Sequence, residues 1–251
     1  VTKGIPMVVL TAPNQETTTP TVSATTSGFR WRRLFLPATY GYGALLILVT
    51  VLVSVLSNSA QTRVMLHAST NLYNLLNGHI GTLLSSALLI GDTDTSLLVL
   101  PLLICLLALA ELKFGASRLI RIFLAGHLGS TLLVAFGLWV AVQAHWLPLE
   151  ITHAEDVGIS YGSMALIGAF LVLMPSRWRP TWAITWLAVA VAGVAMGRSF
   201  TNVGHLVSVS IGLLVGLWLI RGGRTLPQRF KRIEIVLLVI ATLLGYTILV
   251  G

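Results

Sequence analysis

The chain has 251 residues, of which 55% are hydrophobic and only 10% charged, and its mean hydropathy is +0.88. Soluble domains carry about a quarter charged residues, so this composition excludes an ordinary soluble domain and points to the bilayer. The net charge of +8 sits in short clusters between apolar runs, which suits helix orientation and lipid head groups and excludes a nucleic-acid surface.

Residues 1–29 are rich in Thr, Ser and Pro, too polar to build a core, and read as a disordered cytoplasmic tail. The first apolar run, 35–57, follows Arg30, Arg32 and Arg33. It is long enough to remain in the membrane as an anchor, not a cleaved signal. Residues 58–94 contain NLYNLLNGHIGTLLSSALLIGD, whose polar interruptions suit a segment lying in the interface. Further spans are expected at 95–112, 118–141, 157–174, 181–197, 202–220 and 233–250. Each approaches the ~20 apolar residues that cross about 30 Å of hydrocarbon. Alternation with period two is absent, so helices and not a barrel satisfy the backbone in lipid. The predicted fold is an all-α membrane protein: a six-helix core over 30–220, then a basic loop and a seventh helix over 221–251.

Orientation follows from the cations. With the N-terminus inside, inner loops hold Arg30, Arg32, Arg33, Lys113, Arg118, Arg121, Arg177, Arg179, Arg221, Arg224, Arg229, Lys231 and Arg232, and outer loops only Arg63 and Arg198. This predicts a multi-pass cell-membrane protein with a cytoplasmic N-terminus and an outer C-terminus. The single Cys105 excludes an internal disulfide and a CxxC or Cys/His metal site. No metal or other cofactor is expected.

Polar side chains inside a membrane are costly and therefore informative. Ser160, in VGISYGSMALIGA, and His205, in TNVGHLVSVSIGLLVG, lie at similar depth near the outer ends of the fourth and sixth spans. A nucleophile and its base need that geometry. Gly158, Gly162 and Gly168 accompany the Ser, and Gly204, Ser208, Gly212 and Gly216 recur every four residues on the sixth span. Small residues at that spacing let helix backbones approach closely. The residues alone leave plainer readings open: a membrane Ser often bonds back to its own preceding turn, and a His near a helix end serves as a packing or interfacial residue. His127 reads as a packing or hydrogen-bonded residue of the third span, and His67, His145 and His153 as loop residues.

Four segments together resemble the rhomboid family of intramembrane serine proteases. GISYGSMALIG resembles its nucleophile motif GxSGxxxxxxG, with Gly158, Ser160 and Gly168 in register. NVGHLVSVSIGLLVG is similar to its sixth-span signature, a His followed by small residues, as His205, Ser208 and Gly212. AELKFGASRL is similar to E-x-x-x-G-x-x-[RK], as Glu111, Gly115 and Arg118, and TLLSSALLIGD resembles the end of the family's first loop. The seventh helix matches members that append a span to the six-helix core.

The resemblance implies cleavage of transmembrane helices of other membrane proteins by a Ser–His dyad. His205 would be the base, Ser160 the nucleophile, and the Ser160 N–H an oxyanion donor. The chain also departs from the family. The positions of the family's second-span His and Asn fall near Thr95 and Val99, the loop His becomes Ile90, and the Gly after the Ser becomes Tyr161. Thr95 and His79 remain candidate oxyanion donors, with Ser85 and Ser86 as further ones. Two other functions stay open: a pseudoprotease that binds membrane-protein clients without cutting them, and a transporter or accessory subunit built on a polar seam.

Overall fold

The computed structural model describes residues 35–90, 93–156, 159–223 and 230–250, with the backbone alone at 93–97 and 250. The expected tail at 1–29, Gly158 and the Thr95 side chain lie outside that description. Among the described residues there are helices and no strand: α1 (Pro37–Ser54), α2 (Asn58–Ala68), α3 (Leu72–Leu76), α4 (Thr82–Ser85), α5 (Thr93–Phe114), α6 (Ala116–Gln143), α7 (Ser160–Ala169), α8 (Arg179–Gly197), α9 (Phe200–Arg221) and α10 (Arg232–Val250).

The seven expected spans correspond to α1 and α5 through α10. Five of these, α1, α6, α8, α9 and α10, are long and apolar enough to cross a membrane, and α5 has 22 residues. α7 differs. Together with the 3₁₀ turn Phe170–Leu173 it makes an apolar segment of only Ser160–Leu173, about 20 Å long at 1.5 Å per residue. Its burial explains the shortness. Every residue from Tyr161 to Met174 is buried, so no face meets lipid and the helix need not match the bilayer's thickness.

α7 packs most extensively on α9 and α6, and glycines set the distance. A Cβ on Gly168 would stand 2.5 Å from the Val209 carbonyl oxygen, and one on Gly212 2.1 Å from the Ala165 oxygen. Backbone therefore touches backbone, as small-residue helix packing requires. Tyr161 meets Gly204, Ala165 meets Gly212 and Ala169 meets Gly216, so α7 and α9 run in parallel, with α9 beginning about a turn before the level of Tyr161.

Two polar ties hold the peripheral helices. Leu36, the N-cap of α1, has no capping side chain. Glu111, near the end of α5, takes that role from a distant part of the chain. Its carboxylate accepts from Ala38 N (3.2 Å), Thr39 N (2.8 Å) and Thr39 Oγ1 (2.7 Å). Gly115 then turns the chain into α6 with φ of 81°, a conformation that only glycine adopts freely. Lys113 pairs with Glu234 at 2.7 Å and fastens the start of α10 to α5. At its other end α10 lies on α8, where the Leu249 oxygen abuts Gly193.

Residues 58–90 form α2, α3 and α4, which at 11, 5 and 4 residues are too short to cross. Side chains organise this segment. Asn74 donates to Leu66 O and Ser69 O, and Thr70 Oγ1 donates to Thr82 O at 2.7 Å. His127 of α6 anchors it through Nε2, 2.9 Å from Leu83 O and 3.3 Å from Ser86 Oγ. The segment also clasps the chain just before α7: Asp156 N donates to Ser69 Oγ (2.7 Å), and Thr70 N donates to Asp156 O (3.0 Å).

Candidate functional site

Ser160 opens α7 and is half-buried, while the rest of that helix is buried. The first N–H groups of a helix have no partner within it, and no side chain caps this end. The Ser160 N–H therefore lies at the positive end of the helix, where α7 itself supplies it no acceptor.

His205 lies in the second turn of α9 and is buried. Neither Nδ1 nor Nε2 has a hydrogen-bond partner, so no hydrogen bond joins it to Ser160 in this structure. Its neighbour is Tyr161. The two rings meet edge to face, with centroids 5.5 Å apart at 73°. The Tyr161 ring occupies the space over Gly204, where a Cβ would fall 2.4 Å from the phenol oxygen. Below, the Ser208 hydroxyl donates to the Tyr161 carbonyl and fixes the first turn of α7 against α9.

Beside Tyr161 lies the buried Asp156. Its carboxyl and the phenol face each other without closing a hydrogen bond of full geometry. Burial pushes the Asp156 pKa up to about 6, and the nearby Tyr161 hydroxyl pulls it the other way.

α6 completes the setting. A Cβ at Gly126 would approach Ser208 Oγ and Tyr161 O to 3.2 Å each, so Gly126 marks their level on α6. His127 and Ser130 follow within one turn, and the His127 Nδ1 and Ser130 Oγ are buried without partners. Among the described residues, the buried side-chain polar atoms without a partner are those of His127, Ser130, Tyr161 and His205. All four sit on α6, α7 and α9. Buried polar atoms require partners, and ordered water commonly supplies them. The arrangement is a cluster of buried polar groups in an apolar bundle, with the Ser160 hydroxyl at the start of α7 and an uncommitted imidazole on α9.

A family model described as rhomboid-like protein matches residues 33–225. The chain belongs to the rhomboid-like protein family. No curated protein and no solved structure matches it. The matched region spans α1 to α9, and α10 lies beyond it. The all-α rhomboid-like membrane fold read from the sequence is therefore this protein's fold.

Within this rhomboid-like protein the motif residues divide by role. Glu111, Gly115, Gly168, Ser208 and Gly212 are packing and capping residues. Gly162 belongs with them, since a Cβ there would stand 2.5 Å from the Phe123 ring. Arg118 is half-buried at the opposite end of the bundle from Ser160.

Of the expected oxyanion donors, the Thr95 side chain lies outside the described residues. His79 is exposed on the turn between α3 and α4, with no hydrogen bond or ring contact to Ser160 or His205. Ser85 donates to Ala68 O at 3.1 Å, and the Ser86 hydroxyl pairs with Thr70 Oγ1 at 2.6 Å, so both serve the interfacial segment. Ile90 and Val99 pack against the apolar core. Two residues of this cluster, Asp156 and Ser130, escaped sequence reading. No local pattern distinguishes either, because their neighbours come from distant helices.

Proposed function

We propose that this protein is an intramembrane serine hydrolase that cleaves transmembrane segments of other membrane proteins. One observation carries the reading: a buried His205 with both ring nitrogens uncommitted, at the level of the Ser160 that opens α7. His127 differs, since its Nε2 is engaged by Leu83 O and only its Nδ1 is without a partner. An imidazole held bare suits a general base that engages when substrate arrives, since catalytic hydrogen bonds are often loose before binding. In this reading Ser160 Oγ attacks the peptide carbonyl as His205 takes its proton. The Ser160 N–H then stabilises the oxyanion at the helix N-terminus. The cation distribution supports a site near the outer face, with the N-terminus inside.

The test is labelling of the purified protein by a fluorophosphonate, beside Ser160→Ala and His205→Ala. Labelling of the wild type that both substitutions abolish supports an activated serine. A folded wild type that stays unlabelled, while an active serine hydrolase labels in parallel, removes the dyad.

A second reading rests on Val99 and Ile90, which are packed in the core where the family places polar donors. Losing one oxyanion donor costs roughly 100- to 1000-fold in turnover. A chain short of two would retain clients and not cut them. Co-purification of single-span membrane proteins equally with wild type and Ser160→Ala, without labelling of either, supports this alternative.

A further inference from the structure

At the end of the bundle away from Ser160, a cavity of about 280 Å³ opens between α6 and α9. Its mouth carries Arg118, Arg121 and Trp218, and its walls continue along Ile122 and Ala125 of α6 and Val215 of α9. We propose that this groove binds one anionic phospholipid, its phosphate on the two guanidinium groups and the upper part of one acyl chain along the apolar wall.

Among the described residues the charges lack a protein counterpart. No acid lines the cavity. Arg118 is half-buried, and no hydrogen bond or ion pair ties its guanidinium to the described residues. A partly desolvated cation without a partner is unfavourable, and a lipid phosphate removes that cost. Arg121 is held in position by its own helix. Its Nε donates to Ser117 O at 3.1 Å and its Nη2 to Ser117 Oγ at 3.2 Å. About three of its five N–H donors stay free for a phosphate fork.

The walls select a lipid over a soluble phosphate. From Arg118 to Ala125 the groove follows α6 for about 10 Å of apolar surface, which a free anion would not use. Trp218 stands exposed beside the arginines, where indole rings favour the head-group level of a bilayer.

The experiment is native mass spectrometry of the full chain in mild detergent, titrated with phosphatidylglycerol and phosphatidylcholine of identical acyl chains. Wild type should retain phosphatidylglycerol at least about tenfold more tightly, as charge-assisted contacts imply. Arg118→Gln with Arg121→Gln should reduce it to the phosphatidylcholine level. Ala125→Phe, at an exposed position, fills the wall, keeps both charges and should weaken both lipids several-fold. Equal binding of the two lipids by wild type would overturn the proposal. So would a phosphatidylglycerol preference that survives the double substitution, because the charge would then act elsewhere. Unchanged binding by Ala125→Phe would overturn it too, since the groove would then play no part.

Discussion

Removal of Glu111 should destabilise the fold far more than a surface carboxylate would. Its carboxylate accepts three hydrogen bonds from the first turn of α1, at 2.7, 2.8 and 3.2 Å. Thr39 is fully buried, so Glu111→Ala strands its hydroxyl and its N–H in an apolar setting. Each stranded group costs about 1–3 kcal/mol, and loss of the negative charge at the N-terminus of α1 adds about 0.3–1 kcal/mol. Because such terms overlap, the expected loss is about 3–5 kcal/mol. Glu111→Gln keeps one oxygen for the Thr39 donors and should cost about 1–2 kcal/mol. Thr39→Val removes only the hydroxyl and should cost a similar amount. The double variant Glu111→Ala/Thr39→Val should lose less than the sum, with a coupling of about 1 kcal/mol or more. Equilibrium unfolding in mixed detergent and dodecyl sulfate micelles, followed by fluorescence of the 7 tryptophans, measures all four. A Glu111→Ala cost below about 1 kcal/mol, or additivity of the pair, would refute the capping role.

Gly212→Ala places a methyl 2.1 Å from the Ala165 oxygen and should cost more than 2 kcal/mol, about the upper range for overpacking. Gly137→Ala, with nothing within 4 Å, should be neutral or stabilising by up to about 1 kcal/mol, so similar effects in unfolding would sink the packing assignment. Glu234→Ala breaks the 2.7 Å pair with the buried Lys113 and should cost about 3–5 kcal/mol, with amide exchange in α10 accelerated before that in α9. Asp156 has a folded pKa of about 6 against 3.8 unperturbed, so its stability contribution is best at low pH and is lost as pH rises through 6. Asp156→Asn should therefore gain on wild type between pH 4 and 7 by about 2–3 kcal/mol and level off above; a flat difference across that range would count against the buried carboxyl.

The spans were legible because each is a local property: an apolar run between cation clusters. All seven expected segments hold a helix. α7 was over-extended by sequence, since hydropathy reports apolar character and not whether lipid or protein surrounds it. Residues 58–90 hold only helices too short to cross, and their shape depends on Thr70, Asn74 and His127, whose partners lie in other turns or another helix. Glu111 stood out by its motif, yet its partner Thr39 lies 72 residues away. At the candidate site, the depth match of Ser160 and His205 was visible in the spacing of their spans. The position of Tyr161 beside His205, and of Asp156 beside Tyr161, was not, because ring placement depends on the small volume at Gly204.

That volume links the packing of the bundle to its chemistry. Gly168 and Gly212 let α7 and α9 meet backbone to backbone, which fixes the height of Ser160 relative to His205. Nearer the Ser160 end, Gly204 admits the Tyr161 ring, and Ser208 holds the Tyr161 carbonyl. The ring then shields one side of the imidazole while both nitrogens stay bare. Displacing Tyr161 would require opening the α7–α9 seam, where Gly168 and Gly212 bring backbone against backbone. The phenol is thus held beside the imidazole by the same packing that sets the height of Ser160.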